Sequence, residues 1–289
     1  MRTSLLMLIL AISLAACGGS GSDKGDGGDK AAADTDGDGL TDDEEAALGT
    51  DPTLADTDAD GLSDLDETEA GSDPTLDDTD GDSYLDSWEV TEGTNPTDAE
   101  SRIYTGYWPY NPDKDAIPDP GWDGSDAEGE LVPRFQWVDQ FGDTLDLYDY
   151  AYQGKPIVID VSGAWCYYCK EMAKLLDGQS SYFDDYAAYY DWIEGLPELV
   201  DNGDIYWITA IDANSRQQTA DEDDVANWYE DYPNPNIAVV LDQDQQFMDW
   251  INIVGYPTVF LVNEDMTVAS MNRRDYTKVL DDVMDAAAR

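Results

Sequence analysis

The sequence predicts an α/β fold class, in which a central sheet flanked by helices over residues 131–289 is preceded by a stalk of acidic repeats. From Leu131 onward, short apolar runs of strand length alternate with stretches compatible with helices. Between residues 34 and 100 the chain repeats with a period of 22. Two cysteines stand three positions apart, shortly after one of the apolar runs. These three observations predict where each part of the chain begins.

Residues 1–17 have the pattern of a secretion signal. A basic Arg2 is followed by an apolar run that is shorter than a membrane-spanning helix requires, and small residues precede Cys17. Residues 14–17, Leu-Ala-Ala-Cys, resemble the lipobox of bacterial lipoproteins, in which the cysteine is lipidated. The resemblance implies a signal peptide, a lipid anchor on Cys17 and an extracytoplasmic place in the cell envelope, with Gly18 favouring the outer membrane. An ordinary signal peptide with a free cysteine is the alternative.

Residues 18–33 lack an apolar face to bury and predict a flexible tether. In the repeats that follow, each unit opens with a twelve-residue loop that has acids at positions 1, 3, 5, 9 and 12 and a backbone carbonyl at position 7. That is the ligand order of a calcium loop. The predicted metal ligands are Asp34, Asp36, Asp38, Leu40, Asp42 and Glu45; Asp56, Asp58, Asp60, Leu62, Asp64 and Glu67; and Asp78, Asp80, Asp82, Tyr84, Asp86 and Glu89.

Carboxylates at this density repel one another unless a hard divalent cation neutralises them, so Ca²⁺ is the predicted cofactor. Glycine at position 6 allows the sharp turn of the first two loops, whereas Ser83 predicts weaker binding in the third. The spacing, with only a short apolar segment after each loop and without the flanking helices of an EF-hand, resembles thrombospondin type 3 calcium repeats. A disordered acidic linker is the alternative.

Residues 101–130 combine turn formers and aromatics without a period, which predicts a linker that packs on a neighbour. The strands predicted after it lie at 135–138, 144–147, 157–161, 205–211, 237–241, 258–262 and 267–271. Helices are predicted from 170 and near 223–229, 245–251 and 276–288.

Cys166 and Cys169 lie where the strand at 157–161 gives way to a helix. A thiol on the first turn of a helix meets unpaired N–H groups, which favour its thiolate, so Cys166 is the predicted nucleophile. Cys169, one turn on, is the predicted resolving thiol. A zinc site would need four Cys or His ligands, but the chain has no His and only one further cysteine. An inert structural disulfide is the alternative to redox chemistry.

The Cys-x-x-Cys motif after a strand, with Val-Gly-Tyr-Pro-Thr at 254–258 before a later strand, resembles the thioredoxin fold. A leading hairpin, Gly-Lys before the cysteine strand and an insert before the proline resemble its TlpA/ResA branch. The resemblance implies a cis Pro257 beside the sulfurs, Trp165 as the flanking aromatic, and Asp160 as the buried carboxylate that accepts a proton from the resolving thiol. Between the cysteines, two tyrosines replace the proline-containing dipeptide common in that branch, which leaves the direction of electron flow open.

The residues themselves also favour a role for Asp160, because a carboxylate within an apolar strand is costly to bury unless it has a task or a partner. A solvated position at a sheet edge is the alternative. For Pro257 the alternative is an ordinary edge proline, since proline in sheets is confined to strand starts and edges.

Composition narrows the function. Asp and Glu number 65 against 14 Lys and Arg, and a net charge of −51 excludes nucleic acid as a partner. We predict a membrane-tethered thiol–disulfide oxidoreductase that reduces or exchanges disulfides in secreted or envelope proteins, with disulfide-containing protein clients and an upstream thiol electron donor as partners. The alternatives are a calcium-dependent surface adhesion or scaffold protein with a non-catalytic thioredoxin fold, and a disulfide oxidase or isomerase.

Overall fold

A computed structural model describes residues 32–242 and 245–288. The predicted signal segment, the Cys17 anchor and most of the tether lie outside these residues. In the part of the chain that the structure describes, no helix has both the length and the apolar character needed to cross a membrane.

Short helices occupy the repeat segment, and a mixed α/β domain follows. The helices are α1 (Asp42–Leu48), α2 (Asp64–Ala70), α3 (Asp86–Glu92), α4 (Tyr167–Leu176), α5 (Trp192–Asp201), α6 (Glu222–Asp231), α7 (Gln246–Trp250) and α8 (Tyr276–Ala287). The strands are β1 (Gln136–Asp139), β2 (Thr144–Asp146), β3 (Ile157–Gly163), β4 (Tyr206–Ala213), β5 (Ile237–Leu241), β6 (Thr258–Val262) and β7 (Val268–Met271). Turns of 3₁₀ helix lie at Lys114–Ala116, Leu147–Tyr150 and Tyr182–Tyr186.

The strands form one seven-stranded sheet in the order β2-β1-β5-β4-β3-β6-β7. Strands β3, β4 and β5 run parallel, so their carboxyl ends meet at one edge, and β6 runs antiparallel to β3. All seven residues of β3 are buried, as expected for a strand covered on both faces. With the cysteine motif following this central strand, the sheet is thioredoxin-like and flanked by helices, which confirms the predicted fold class.

Side chains alternate across β3 and divide the core into two layers. Ile157, Ile159 and Val161 face one layer, which is completed by α7 and by aromatic residues from the preceding segment. Val158 faces the other layer, where it packs with both cysteines and with α4, α5, α6 and α8. Asp160 has the same parity as Val158, so it lies on the cysteine side of the sheet.

Every predicted strand lies within two residues of its expected bounds. Helix α5 is not predicted by the sequence, because Gly195 and Pro197 are signals against a helix interior. It forms because Trp192, Leu196 and Val200, at helical spacing, are all buried in the cysteine-side layer. Here the tertiary burial of one face outweighs local propensity.

Helices α1 to α3 also differ from expectation, since the sequence predicts only a short apolar segment after each calcium loop. Each helix starts at loop position 9 and ends at a glycine with positive φ, 96° at Gly49, 92° at Gly71 and 83° at Gly93. These glycines supply the left-handed cap at which helices often end. Acidic residues in each first turn favour the positive end of the helix dipole.

Successive repeats are joined through the carboxylate at loop position 5. Asp38 Oδ2 accepts the N–H of Leu65 at 3.2 Å, and Asp60 Oδ2 accepts the N–H of Ser87 at 2.8 Å. In the third repeat the same oxygen, Asp82 Oδ2, lies 3.6 Å from Nε of Arg102. The guanidinium thus takes the place of the next repeat's amide and ends the stack.

The segment 101–130 packs into the first core layer. Tyr104, Trp108 and Tyr110 are buried there together with Tyr84 of the third repeat. Trp108 Nε1 donates to Asp139 Oδ2 at 2.7 Å, and the Tyr84 hydroxyl donates to the Trp108 carbonyl at 2.7 Å. The third repeat, this segment and the sheet therefore share one core.

Candidate functional site

The two cysteines lie at the junction between β3 and α4. Cys166 is the N-cap of α4, and its Sγ accepts the N–H of Cys169 at 3.2 Å. The pair is disulfide-bonded, with the Cα atoms 5.3 Å apart. Cys166 is 4% exposed and Cys169 is fully buried. Cys166 is therefore the sulfur nearer to solvent, and it lies where unpaired backbone N–H groups stabilise a thiolate.

Asp160 lies on β3, which is paired on both sides, so it does not occupy a sheet edge. Its Oδ2 accepts the hydroxyl of Ser162 at 2.9 Å, and its buried Oδ1 has no hydrogen-bond partner among the described residues. Burial raises the pKa of Asp160 to about 7, against the smaller lowering effect of the Ser162 hydroxyl. A carboxyl group with this pKa can accept and release a proton near neutral pH.

Pro257 directly precedes β6, and the Tyr256–Pro257 peptide is cis. Its neighbour Thr258 pairs with Val161 at the end of β3, so the proline lies beside the exit of β3 towards the cysteines. Trp165 packs edge-on against Tyr256, with ring centroids 5.5 Å apart. The structure thus brings Trp165, the cysteine pair and the proline loop together, at the edge of the sheet where β3 ends.

Two further buried acids lie at the same edge of the sheet. Asp212 of β4 accepts a hydrogen bond from the Tyr256 hydroxyl, and burial is the main cause that raises its pKa to about 6. Asp242 follows β5 and accepts the N–H groups of Phe247 and Met248, both at 3.0 Å. Burial likewise raises the pKa of Asp242 to about 6.

Neither acid is singled out by the sequence, although a signal was available. Asp212 and Asp242 each stand at the end of an apolar strand pattern, and the carboxyl ends of parallel strands meet at one edge. The hydrogen bond between Asp212 and Tyr256 joins residues 44 positions apart. That contact links the end of β4 to the residue before the cis-proline.

The repeat loops form three carboxylate clusters. In each loop the acids at positions 1, 3 and 5 offer oxygens that all lie within 4.8 Å of one another; the clusters are Asp34, Asp36 and Asp38; Asp56, Asp58 and Asp60; and Asp78, Asp80 and Asp82. The glutamates at position 12, Glu45, Glu67 and Glu89, are fully buried. Both carboxylate oxygens of Glu45 and Glu67, and one of Glu89, lack a hydrogen-bond partner within residues 32–242 and 245–288.

Burial, reinforced by neighbouring aspartates, raises the pKa of Glu45 to about 7 and that of Glu67 to about 8. The pKa of Glu89 is raised to about 7, again mainly by burial. Buried carboxylates without partners are unfavourable unless a cation compensates them. An all-oxygen donor set with this much uncompensated charge fits a hard divalent cation such as calcium.

The position-9 acids have a different environment. Asp64 accepts both the N–H and the hydroxyl of Thr57 at 2.8 Å, and Asp86 is held in the same way by Thr79. These position-9 carboxylates form hydrogen bonds within the loop, and they do not belong to the clusters formed by positions 1, 3 and 5. At position 6, Ser83 has a positive φ of 84°, and Gly39 and Gly61 at the same loop position also have positive φ. A serine in this conformation carries a steric cost that glycine avoids.

Comparisons with known proteins address both parts of the chain. The model of the bacterial TSP3 repeat matches residues 34–55, 56–76 and 78–99, so the acidic segment consists of bacterial TSP3 repeats. The chain is 26% identical over 145 residues to thiol-disulfide oxidoreductase ResA of Bacillus subtilis, covering 50% of this chain and 66% of the relative. It is also 26% identical over 117 residues to an uncharacterized protein of Haemophilus influenzae, covering 40% and 63%. The chain thus spans just under two thirds of the length of these relatives.

Among solved structures, the thioredoxin domain of a thiol-disulfide oxidoreductase from Bacteroides vulgatus matches with a TM-score of 0.37 and 20% identity, covering 54% of this chain and 98% of the other. An exposed lipoprotein thioredoxin from Streptococcus pneumoniae matches with a TM-score of 0.38 and 20% identity, covering 53% and 98%.

Proposed function

We propose that residues 131–289 form a thiol–disulfide oxidoreductase that reduces or exchanges disulfides in secreted or envelope proteins. The observation that supports it is the asymmetry of the cysteine pair. Cys166 caps α4 nearer to solvent, Cys169 is fully buried behind it, and the buried Asp160 lies on the same side of β3. One sulfur is placed to attack and the other to resolve.

In the proposed reaction the reduced protein attacks with the Cys166 thiolate. A new bond forms between Cys166 Sγ and one client sulfur, the client disulfide breaks, and its other sulfur leaves as a thiolate. Cys169 then gives its proton to Asp160 and attacks Cys166 Sγ. This closes the Cys166–Cys169 disulfide and releases the second client sulfur. The client gains two electrons and the protein loses two, so a thiol donor has to reduce the protein again.

The first test uses the cysteine variants of the full chain. Because Cys169→Ser cannot resolve the mixed disulfide, we expect it to accumulate an adduct on Cys166 with an oxidised thiol reagent, whereas Cys166→Ser does not. Asp160→Asn should slow resolution more than initial attack, by about a hundredfold, because it removes the proton acceptor. Mass spectrometry identifies the adduct, and stopped flow separates the two steps.

A stable adduct on Cys169 instead of Cys166 would reverse the two roles. If neither variant forms an adduct, the disulfide is structural and the domain functions as a scaffold. The direction of electron flow follows from the reduction potential of the cysteine pair, because a strongly oxidising value indicates an oxidase or isomerase.

The repeats form, in this proposal, a calcium-stabilised stalk. The ion would be held by the position 1, 3 and 5 aspartates and the buried position 12 glutamates, which the structure leaves uncompensated. Bound calcium supplies the positive charge that permits these carboxylates to lie together. The position 9 carboxylates keep each loop closed through the threonine at position 2.

We further propose that a lipid on Cys17 tethers the chain to the membrane in the cell envelope. The chain has three cysteines, and Cys166 and Cys169 are bonded to each other, so Cys17 is the remaining one. Cys17→Ser should therefore release the protein from the membrane fraction, as measured by fractionation with salt washes. A variant that stays membrane-bound would show that Cys17 is not the anchor.

A further inference from the structure

An exposed cluster of aromatic rings begins between the two cysteines. Tyr167 and Tyr168 contact Tyr182 with ring centroids 6.1 and 5.8 Å apart, and Tyr182 contacts Tyr186 at 5.1 Å. These four side chains, which we call the tyrosine surface, are between 36% and 56% exposed. A contiguous exposed aromatic patch beside a reactive centre is a feature that often marks an interaction site.

The tyrosine surface is held in place by buried neighbours. Tyr182 and Tyr186 lie on the 3₁₀ turn that follows α4, and the N–H of Tyr182 donates to Glu171 Oε2 at 2.6 Å. The Ser181 hydroxyl donates to the Glu171 carbonyl at 2.8 Å, and the buried Phe183 packs on Trp192. The rings are therefore ordered before any partner binds, which lowers the entropic cost of binding.

The surroundings of this surface are acidic. Residues 177–198, which contain two of the four tyrosines, carry six acids and neither Lys nor Arg. Asp185, Asp191 and Glu194 are exposed. On α4, Lys174 is paired with Glu171 at 2.7 Å, and Lys170 is the one positive side chain of this helix outside that pair.

We propose that the tyrosine surface and its acidic surroundings bind a segment of the client that carries Lys or Arg close to the disulfide. Ring faces attract cations, and the nearby carboxylates add charge complementarity. Since Tyr167 and Tyr168 lie between the cysteines, a segment docked here brings its disulfide to Cys166. This inference rests on the proposed oxidoreductase function and names its substrate class.

The test compares three disulfide-bridged peptides of equal length, with two Arg, two Gln or two Glu beside the cystine. Exchange with the reduced full chain is followed by stopped-flow fluorescence. We expect the arginine peptide to react about tenfold faster than the glutamine peptide, and the glutamate peptide to react more slowly than both. Raising the salt concentration should shrink the difference, because the ions screen the exposed charges.

A matched pair of variants locates the effect. Tyr186→Ser with Asp185→Asn should reduce the arginine preference to about twofold. The control, Tyr152→Ser with Asp204→Asn, changes an exposed tyrosine and an exposed aspartate near the amino ends of β3 and β4, away from the cysteines. We expect it to keep the full preference. Replacing both Asp185 and Asp191 with Lys should shift the preference towards the glutamate peptide, a gain that misfolding cannot produce.

Equal rates for the three peptides would overturn the proposal, as would an equal loss of preference in the control variant. A fourth peptide, with two Phe beside the cystine, tests for a purely apolar surface. A faster reaction with this peptide than with the arginine peptide would also overturn the proposal. If the full chain forms a dimer and Tyr186→Ser abolishes it, a second copy of the chain occupies the tyrosine surface, which would also overturn the proposal. Absence of exchange with every peptide, including small neutral disulfides, would instead contradict the proposed oxidoreductase function.

Discussion

At the scale of single residues, burial decides the chemistry of the acids near the cysteines. Asp160, Asp212 and Asp242 are all buried, but their partners differ. Asp242 accepts two backbone N–H groups, and Asp212 accepts a tyrosine hydroxyl. Asp160 accepts the Ser162 hydroxyl and, like Asp212, keeps one buried oxygen without a partner among the described residues. Burial is the main cause that raises the pKa of Asp160 to about 7, compared with about 6 for Asp212 and Asp242.

This shift predicts how stability depends on pH. The pKa of Asp160 rises from 3.8 to about 7 on folding, so the native state holds the proton more tightly than the unfolded chain in that interval. The free energy of unfolding therefore falls as pH increases from about 4 to about 7. Asp160→Asn removes this loss. Between pH 4 and pH 7 we expect the free energy of unfolding of this variant to increase by about 3 kcal/mol relative to that of wild type.

Denaturant unfolding at the two pH values, with calcium held constant, measures the change. Asp204→Asn is the control because Asp204 is exposed, and it should follow the wild-type profile. Parallel profiles for wild type and Asp160→Asn would show that Asp160 is already ionised at low pH in the folded protein.

At the scale of elements, the repeats have little apolar surface to hold them together. The buried apolar residues of the described repeats are Leu40, Pro74, Tyr84 and Pro96, and the other buried side chains are polar, among them the three position-12 glutamates. The links from Asp38 to Leu65 and from Asp60 to Ser87 order one repeat on the next. Each link uses a carboxylate that also belongs to one of the carboxylate clusters. Neutralising the charge of the clusters and stacking the repeats therefore depend on the same residues.

Removing calcium should therefore loosen residues 34–100. Because the carboxylates then repel one another, we expect chelation to raise the rate of proteolysis in this segment by about tenfold or more. Glu45→Gln combined with Glu67→Gln should give the same sensitivity in the presence of calcium. Limited proteolysis followed by mass spectrometry locates the cuts. Glu69→Gln, which changes an exposed glutamate of α2, is the matched control, and identical cleavage with calcium and with chelator would contradict the role of the ion.

At the scale of the whole molecule, Tyr84 connects the repeats to the α/β domain. It stands at position 7 of the third loop, its ring is buried in the first core layer, and its hydroxyl donates to the Trp108 carbonyl. Further contacts join the third repeat to the segment 101–130, among them Tyr110 to Glu92 at 2.7 Å and Arg102 to Asp82. The geometry of the third loop is thereby tied to the packing of the domain.

We expect Glu89→Gln to lower the Tm of the α/β domain by about 4 °C in calcium, because a weakened third loop moves Tyr84 out of its place in the core. Glu45→Gln is the matched control, since its loop is two repeats away from the domain, and it should leave that Tm unchanged. Near-ultraviolet circular dichroism reports the unfolding of the domain aromatics. Equal Tm values for both variants and wild type would show that the repeats and the domain unfold independently.

The sequence by itself determined the features that depend on local spacing. The ligand order of the loops, the two cysteines after an apolar strand and the bounds of the seven strands are all readable within short windows of the chain. These features can be predicted from the sequence because periodicity, turn residues and motif spacing are properties of neighbouring residues.

Only the tertiary structure decided which distant side chains meet. It joined Asp212 to Tyr256, placed Tyr84 in the core of the following domain and brought Tyr182 against the tyrosines between the cysteines. It also made a helix of residues 192–201 against their local propensity. These outcomes depend on burial and contact between segments far apart in the chain, and the free energy of such contacts is set by the packed fold and not by any short stretch of sequence.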